Sequence, residues 1–320
     1  MPAHTRAQRS LGLEETRRAV DGLTVTVPGS CGNLGSGFDA LAVAVQLYTR
    51  VTVRRVRDDL ARSQVLCTFE GVALDGEDYV ARSITTLASR EGLDFPSLEL
   101  AVETEIPMQA GLGSSAAATV AGLLIVQRMT GAAALDLASE AAALEGHPDN
   151  VAASLVGGLA SGTVCDDGRV IVMSTPWPES VRLVAITPAA RLQTSDARRV
   201  LPPAISRADA VFNLQRTALL VQAVATGRAD LLREAVRDRW HQPYRTALVP
   251  ALAEALAFEH EDLLGICLSG AGPTVLAFAQ APTGRLEEAL ASLYSRLGVP
   301  CRIRTLDAHN GPPRVVQNRS

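Results

Sequence analysis

The chain has 320 residues, 47% of them hydrophobic and 20% charged, with a formal net charge of -4. This is ordinary globular composition, long enough for about two domains, and it argues against a nucleic-acid partner or a polybasic membrane anchor. All 30 basic residues are arginine, which excludes any chemistry that needs a lysine amine, such as a Walker A loop or a pyridoxal phosphate Schiff base.

Residues 1–22 are charged and lack an apolar segment, so they read as a flexible extension and not a secretory signal. Leu23–Val27 is the first predicted strand, closed by Pro28-Gly29 and followed by a glycine-rich loop to Gly37. Tyr48–Val56 and Val65–Glu70 read as strands. Asp78 opens a helix with Val80, Ile84, Leu87 and Ala88 on one face, stopped by Gly92. Leu98–Val102 alternates as a half-buried strand. After a small-residue loop, Ser114 or Ser115 is expected to cap an alanine-rich helix running to about Met129. Leu135–Leu144 and Val151–Val156 read as helices joined by the polar Glu145–Asn150 connection, and Gly157-Gly158 ends the second.

Strands are predicted at Gly158–Val164, Val170–Ser174 and Val181–Thr187, with a domain boundary near Ser174–Pro178. Ser206-x-x-Asp209 resembles a capping box opening a long helix that Gly227 ends. Further helices fit Ala229–Asp238, Thr246–Glu259 and Gly284–Leu297. Strands fit Leu263–Leu268, Thr274–Ala279 and Arg302–Leu306. Strands and helices mixed without strict alternation indicate α+β. The five cysteines and five histidines are scattered without metal-ligand spacing and suggest a reducing, cytoplasmic setting. The longest apolar run, Ala116 to Val126, falls far below the ~18 residues of a membrane span.

Chemistry concentrates in the stretch Pro107-Met108-Gln109-Ala110-Gly111-Leu112-Gly113-Ser114-Ser115-Ala116-Ala117, between a strand and a helix. Its glycines would let the backbone approach a ligand, and the free N–H groups of the following helix suit a di- or triphosphate. A tight turn packing helix on sheet explains the same residues equally well.

That string resembles the second motif of the GHMP kinases, a family of small-molecule kinases. Val27-Pro28-Gly29-Ser30-Cys31-Gly32-Asn33-Leu34-Gly35-Ser36-Gly37-Phe38-Asp39 resembles the first motif in its homoserine kinase form, and Leu268-Ser269-Gly270-Ala271-Gly272-Pro273-Thr274 the third. They stand in family order, and the similarity runs from about Leu23 to Val316. Leu144 to Ala152, Thr194-x-x-x-Arg198 and Pro243-Tyr244-Arg245 are similar to further segments of the homoserine kinase branch.

The resemblance implies a GHMP kinase fold, with an N-terminal S5-like α+β domain over 23–175 and a C-terminal ferredoxin-like domain over 176–320. It implies phosphorylation of L-homoserine to O-phospho-L-homoserine in threonine biosynthesis, with ATP against Pro107–Ala117 and Mg²⁺ on Glu145 and a loop serine, Ser115 in preference to Ser114. Substrate-binding residues would be Asn33, Asp39, His147, Asn150, Arg198 and Arg245. An arginine fork suits the α-carboxylate, Asp39 the ammonium, and the amides of Asn33 and Asn150 the hydroxyl. No residue stands out as a base, so direct in-line attack is expected, with Asn150 and Thr194 orienting the hydroxyl. The small-molecule reading includes no nucleic-acid or membrane partner and leaves a homodimer open.

Gln109 stands where the family usually has Gly, Ala or Ser. Gly29, Gly32 and Ser36 replace commoner Ala, Ala and Pro, and Ala42 a common glycine. Two rivals remain: a GHMP kinase for another small alcohol, and an inactive ligand-sensing member.

Overall fold

The computed structural model describes residues 9–71, 73–74, 76–132 and 135–317. Alternation of β-branched and polar residues builds a seven-stranded sheet whose strands come from the N-terminal part of the chain except for one from the C-terminal end. Its spatial order is Arg314–Gln317, Leu23–Gly32, Leu41–Arg57, Ser97–Thr104 and Val65–Phe69. Leu159–Val164 also pairs with the start of Leu41–Arg57, and Val170–Thr175 pairs with Leu159–Val164. Leu41–Arg57 serves two sets of partners because it is 17 residues long, beginning well before the predicted Tyr48.

The second sheet has the order Leu263–Leu268, Val275–Gln280, Val181–Pro188 and Cys301–Leu306, antiparallel throughout. In chain order that is 2-3-1-4, the ferredoxin-like arrangement. Successive side chains of its strands point to opposite faces. Leu183, Ala185, Leu276 and Phe278 join the large core of the first half. Val184, Ile186, Val275 and Ala277 instead pack with Leu286, Leu290 and Tyr294, which recur at helical spacing on Gly284–Arg296. The shared core joins the two α+β halves.

Local signals fixed several helices well. Asp78 caps Tyr79–Arg90 by accepting from Ala81 N, and Ser206 caps Arg207–Ala225 through Asp209 N. Other expectations are corrected. Residues 1–8 of the proposed extension lie outside the described residues, but Leu13–Val20 is a helix, and Leu11 and Val20 are wholly buried in the large core. The C-terminal half is not confined to its own sheet, because Arg314–Gln317 returns to pair with Leu23–Gly32 beside the N-terminal strands. The helix expected over Thr246–Glu259 forms only at Leu252–Leu256. Pro250 lacks the N–H a continuous helix needs and disfavours helical backbone before it, and Ala251 is left-handed at φ +61°. Two short helices, Thr194–Arg199 and Gln242–Arg245, were not predicted. They carry the two arginines singled out above. Among the described residues, no helix is long and apolar enough to cross a membrane.

Candidate active site

The three motif loops meet around one cavity of about 540 Å³. Ser30 N donates to Leu112 O at 3.0 Å, Gly270 N to Gly32 O at 2.9 Å, and Thr274 N to Ala110 O at 3.2 Å. Ser269 Oγ donates to Gly111 O at 2.6 Å. The central loop therefore has its backbone held on both sides. Gly111 and Gly113 take φ of +77° and +73°, and a Cβ at either would collide with Ser269 O or with Ser30. Gln109 also adopts positive φ, +54°, a left-handed conformation that glycine takes without strain.

The loop divides by face. Residues 108–111 and 113–115 line the cavity, whereas Leu112, Ala116 and Ala117 are buried in the large core. Pro107 is half-buried and outside the lining, so the expected nucleotide contact narrows to the lining residues. Neither Ser114 nor Ser115 caps the helix Ser114–Thr130. Gly113 occupies the cap position with no side-chain bond, so the unsatisfied N–H groups of the first turn remain for a ligand.

Ser115 Oγ donates to Glu145 Oε2 at 2.7 Å, and Thr119 Oγ1 to Glu145 Oε1 at 2.7 Å. Ser115 and Thr119 are four residues apart and share a helix face. Thr119 was missed by the sequence reading, although that spacing was a usable signal. Glu145 ends the helix Leu137–Glu145, stopped by left-handed Gly146 at φ +84°. A carboxylate at a helix C-terminus opposes the macrodipole, so helix stability does not explain it.

The same cavity carries a cluster of charged groups. Arg198 makes a two-pronged ion pair with Asp39, at 2.9 and 2.8 Å, and that hydrogen bond raises the Arg198 pKa further. His147 Nδ1 lies 2.5 Å from Asp149 Oδ1. Burial disfavours the imidazolium, but the bond to Asp149 and its charge outweigh burial, so the His147 pKa is raised. Asp149 is 1% exposed and also accepts from Asn150 N. Its part in the site was not anticipated. Single atoms of Asp39, His147 and Asp149 lie within 4.8 Å of one another, a grouping open to a cation, but Asp39 and Asp149 are already engaged by Arg198 and His147.

Three matched residues are more constrained than expected. Asn33 accepts from Asp39 N through Oδ1 and donates from Nδ2 to Gly270 O, so it clamps the first loop to the third and shapes the wall. Arg245 is 2% exposed. Its Nε donates to Ala197 O, and Nη1 donates to Gly270 O and His241 Nδ1. Burial, and then the charge of Arg198, lower its pKa to about 10. Asn150 Oδ1 accepts from Ser30 Oγ at 3.0 Å, leaving Nδ2 without a partner among the described residues. Thr194 is exposed, begins its helix and lines the cavity. The flexible-looking glycines of the first motif also have a reason. A Cβ on Gly29 would stand 2.9 Å from Leu112 O, and one on Gly32 would stand 2.8 Å from both Asn150 Nδ2 and Asp149 Oδ2.

Comparison with known proteins identifies the family. Residues 78–158 match the GHMP kinases N terminal domain, and residues 220–297 the GHMP kinases C terminal domain. A homoserine kinase from Solibacter usitatus is 41% identical over 256 residues, 79% of this chain and 83% of the relative. One from Deinococcus radiodurans is 42% identical over 286 residues, 88% of this chain and 92% of the relative. The crystal structure of homoserine kinase from Cytophaga hutchinsonii superposes with a TM-score of 0.77 at 24% identity, covering 92% of this chain and 98% of that one. At that identity it establishes the shared fold.

Proposed function

The chain belongs to the homoserine kinase family of the GHMP kinases, and from that premise we infer that it transfers the γ-phosphoryl group of ATP to the hydroxyl of L-homoserine, giving O-phospho-L-homoserine for threonine biosynthesis. The observation that carries this reading is one cavity lined by the phosphate-type loop and Glu145 together with Asp39, Arg198 and Asn150. We place the enzyme in the cytoplasm, a reading supported by five free cysteines.

The oxygen atoms of Glu145, Ser115 and Thr119 suit Mg²⁺, a hard cation that takes carboxylate and hydroxyl ligands. When bound there, Mg²⁺ would neutralise charge on the phosphate oxygens. The rest falls to the chain itself. The unsatisfied N–H groups of the Ser114–Thr130 helix hold phosphate oxygens. Asp39 takes the substrate ammonium and Arg198 its carboxylate. Ser30 fixes the Asn150 amide so that Nδ2 can donate to the reacting hydroxyl, with Thr194 nearby. Asp39 and His147 could accept a proton, but both are committed to charged partners. The hydroxyl oxygen attacks the γ-phosphorus directly in line as the bond to the bridging oxygen breaks, ADP leaves, and the hydroxyl proton passes to a phosphoryl oxygen.

ADP release by the purified protein, with homoserine, shikimate, mevalonate and galactose as acceptors, tests the assignment. L-homoserine should be the best acceptor. Faster turnover of another alcohol overturns the reading, and no turnover of any would favour an inactive member. For the mechanism, His147→Leu should raise KM for homoserine more than it lowers kcat. General-base help is worth about 10²–10⁴, so a kcat loss above ~10³ at unchanged KM would identify His147 as a base.

A further inference from the structure

The two charges assigned to substrate recognition are bonded to each other. Arg198 presents both terminal nitrogens to the two oxygens of Asp39, the end-on fork in which an arginine would take a substrate carboxylate. Their side chains are 37% and 32% exposed, and both line the cavity. Arg245 lines the same cavity, but its Nε and Nη1 are engaged by protein acceptors, so it cannot offer a second end-on fork.

Resting on the homoserine reading, we infer that Asp39 and Arg198 form a latch that opens without loss only to a molecule carrying both an ammonium and a carboxylate. An amino acid gives Asp39 an ammonium and Arg198 a carboxylate, so every charge stays paired. A lone carboxylate takes Arg198 and leaves Asp39 without its two-pronged partner. A lone ammonium leaves Arg198 in the same state. Both side chains are about a third exposed, so water screens part of the cost, but each half-matched ligand still gives up the two-pronged pair for a single contact, and the two ends of the substrate are recognised as one unit. The ion pair thereby excludes half-matched alcohols, a device of specificity more than of affinity.

Independent subsites make the opposite prediction, since each retained group would then contribute its own factor. Four compounds of similar size separate the cases: L-homoserine, L-homoserine amide, 4-hydroxybutyrate and 4-hydroxybutyramide. They are compared by kcat/KM, or as competitive inhibitors where turnover is too slow. The two singly charged analogues should be no better than 4-hydroxybutyramide, with a coupling factor of roughly 10 to 100 across the cycle. If the carboxylate improves 4-hydroxybutyramide as much as it improves homoserine amide, the latch is overturned while the homoserine reading stands. No turnover of homoserine, with another alcohol accepted, overturns both. Asp39→Asn gives an independent check, because it frees Arg198. The variant should bind 4-hydroxybutyrate several-fold more tightly than wild type and homoserine more weakly. Weaker binding of both would mean that Asp39 only maintains structure, and would overturn the latch.

Discussion

Glu145→Gln is expected to lower kcat by roughly 10²–10³, the usual effect of removing a group that stabilises transition-state charge, and to raise the Mg²⁺ concentration needed for half-maximal rate. The substitution keeps size and leaves an amide oxygen to accept from Ser115 or Thr119, the two present donors. It also removes a negative charge from the end of the Leu137–Glu145 helix, where the macrodipole disfavours one. The fold should therefore survive, so lost activity can be read as lost ion binding. Magnesium titrations of ADP release, with circular dichroism on the same samples, check both halves. A near-normal rate at limiting Mg²⁺ would mean that the ion sits elsewhere, with Asp39, His147 and Asp149 the next group to test.

The second large effect is on stability. Gly113→Ala should destabilise the protein by roughly 2–5 kcal/mol, combining the left-handed backbone penalty of about 1–2 with about 1–3 for overpacking. The new methyl group meets Ser30 N at 2.9 Å and Ser30 O at 3.0 Å, backbone atoms in the strand Leu23–Gly32 that cannot swing away. Gly131 supplies an internal control, because it closes the other end of the same helix at φ +62° with nothing among the described residues within 4 Å of its Cβ position. Gly131→Ala should show only the backbone penalty, ~1–2 kcal/mol. Denaturant midpoints of the two variants measure the difference. Equal midpoints would mean that the Ser30 contact relaxes freely and that the loop is less tightly held than its hydrogen bonds imply.

Much of the molecule was legible because its causes are local. Asp78 and Ser206 cap helices that begin immediately after them, and Leu263–Leu268 carries its strand signal in its own residues. Leu13–Val20 was misread because a polar eight-residue helix buries only a few side chains, too few to stand out before their partners are known. The Thr246–Glu259 segment was misread because Pro250 interrupts it, leaving a helix only at Leu252–Leu256.

By itself, the sequence determined the α+β class and the order of the three motif loops, and its resemblance to the GHMP kinases pointed to the candidate residues Glu145, Asp39, Arg198 and Asn150. Caps, periodicity and motif spacing act between near neighbours, and they can be read without knowing where the chain goes. Only the tertiary structure decided what those side chains do to one another. Arg198 and Asp39 are 159 residues apart and make one ion pair. Asn33 turns out to clamp Gly270, 237 residues away, and Arg245 fixes Ala197 and Gly270 before any ligand arrives. A hydrogen bond depends on distance and direction in space, and those are set by how the two sheets and their shared core bring distant segments together.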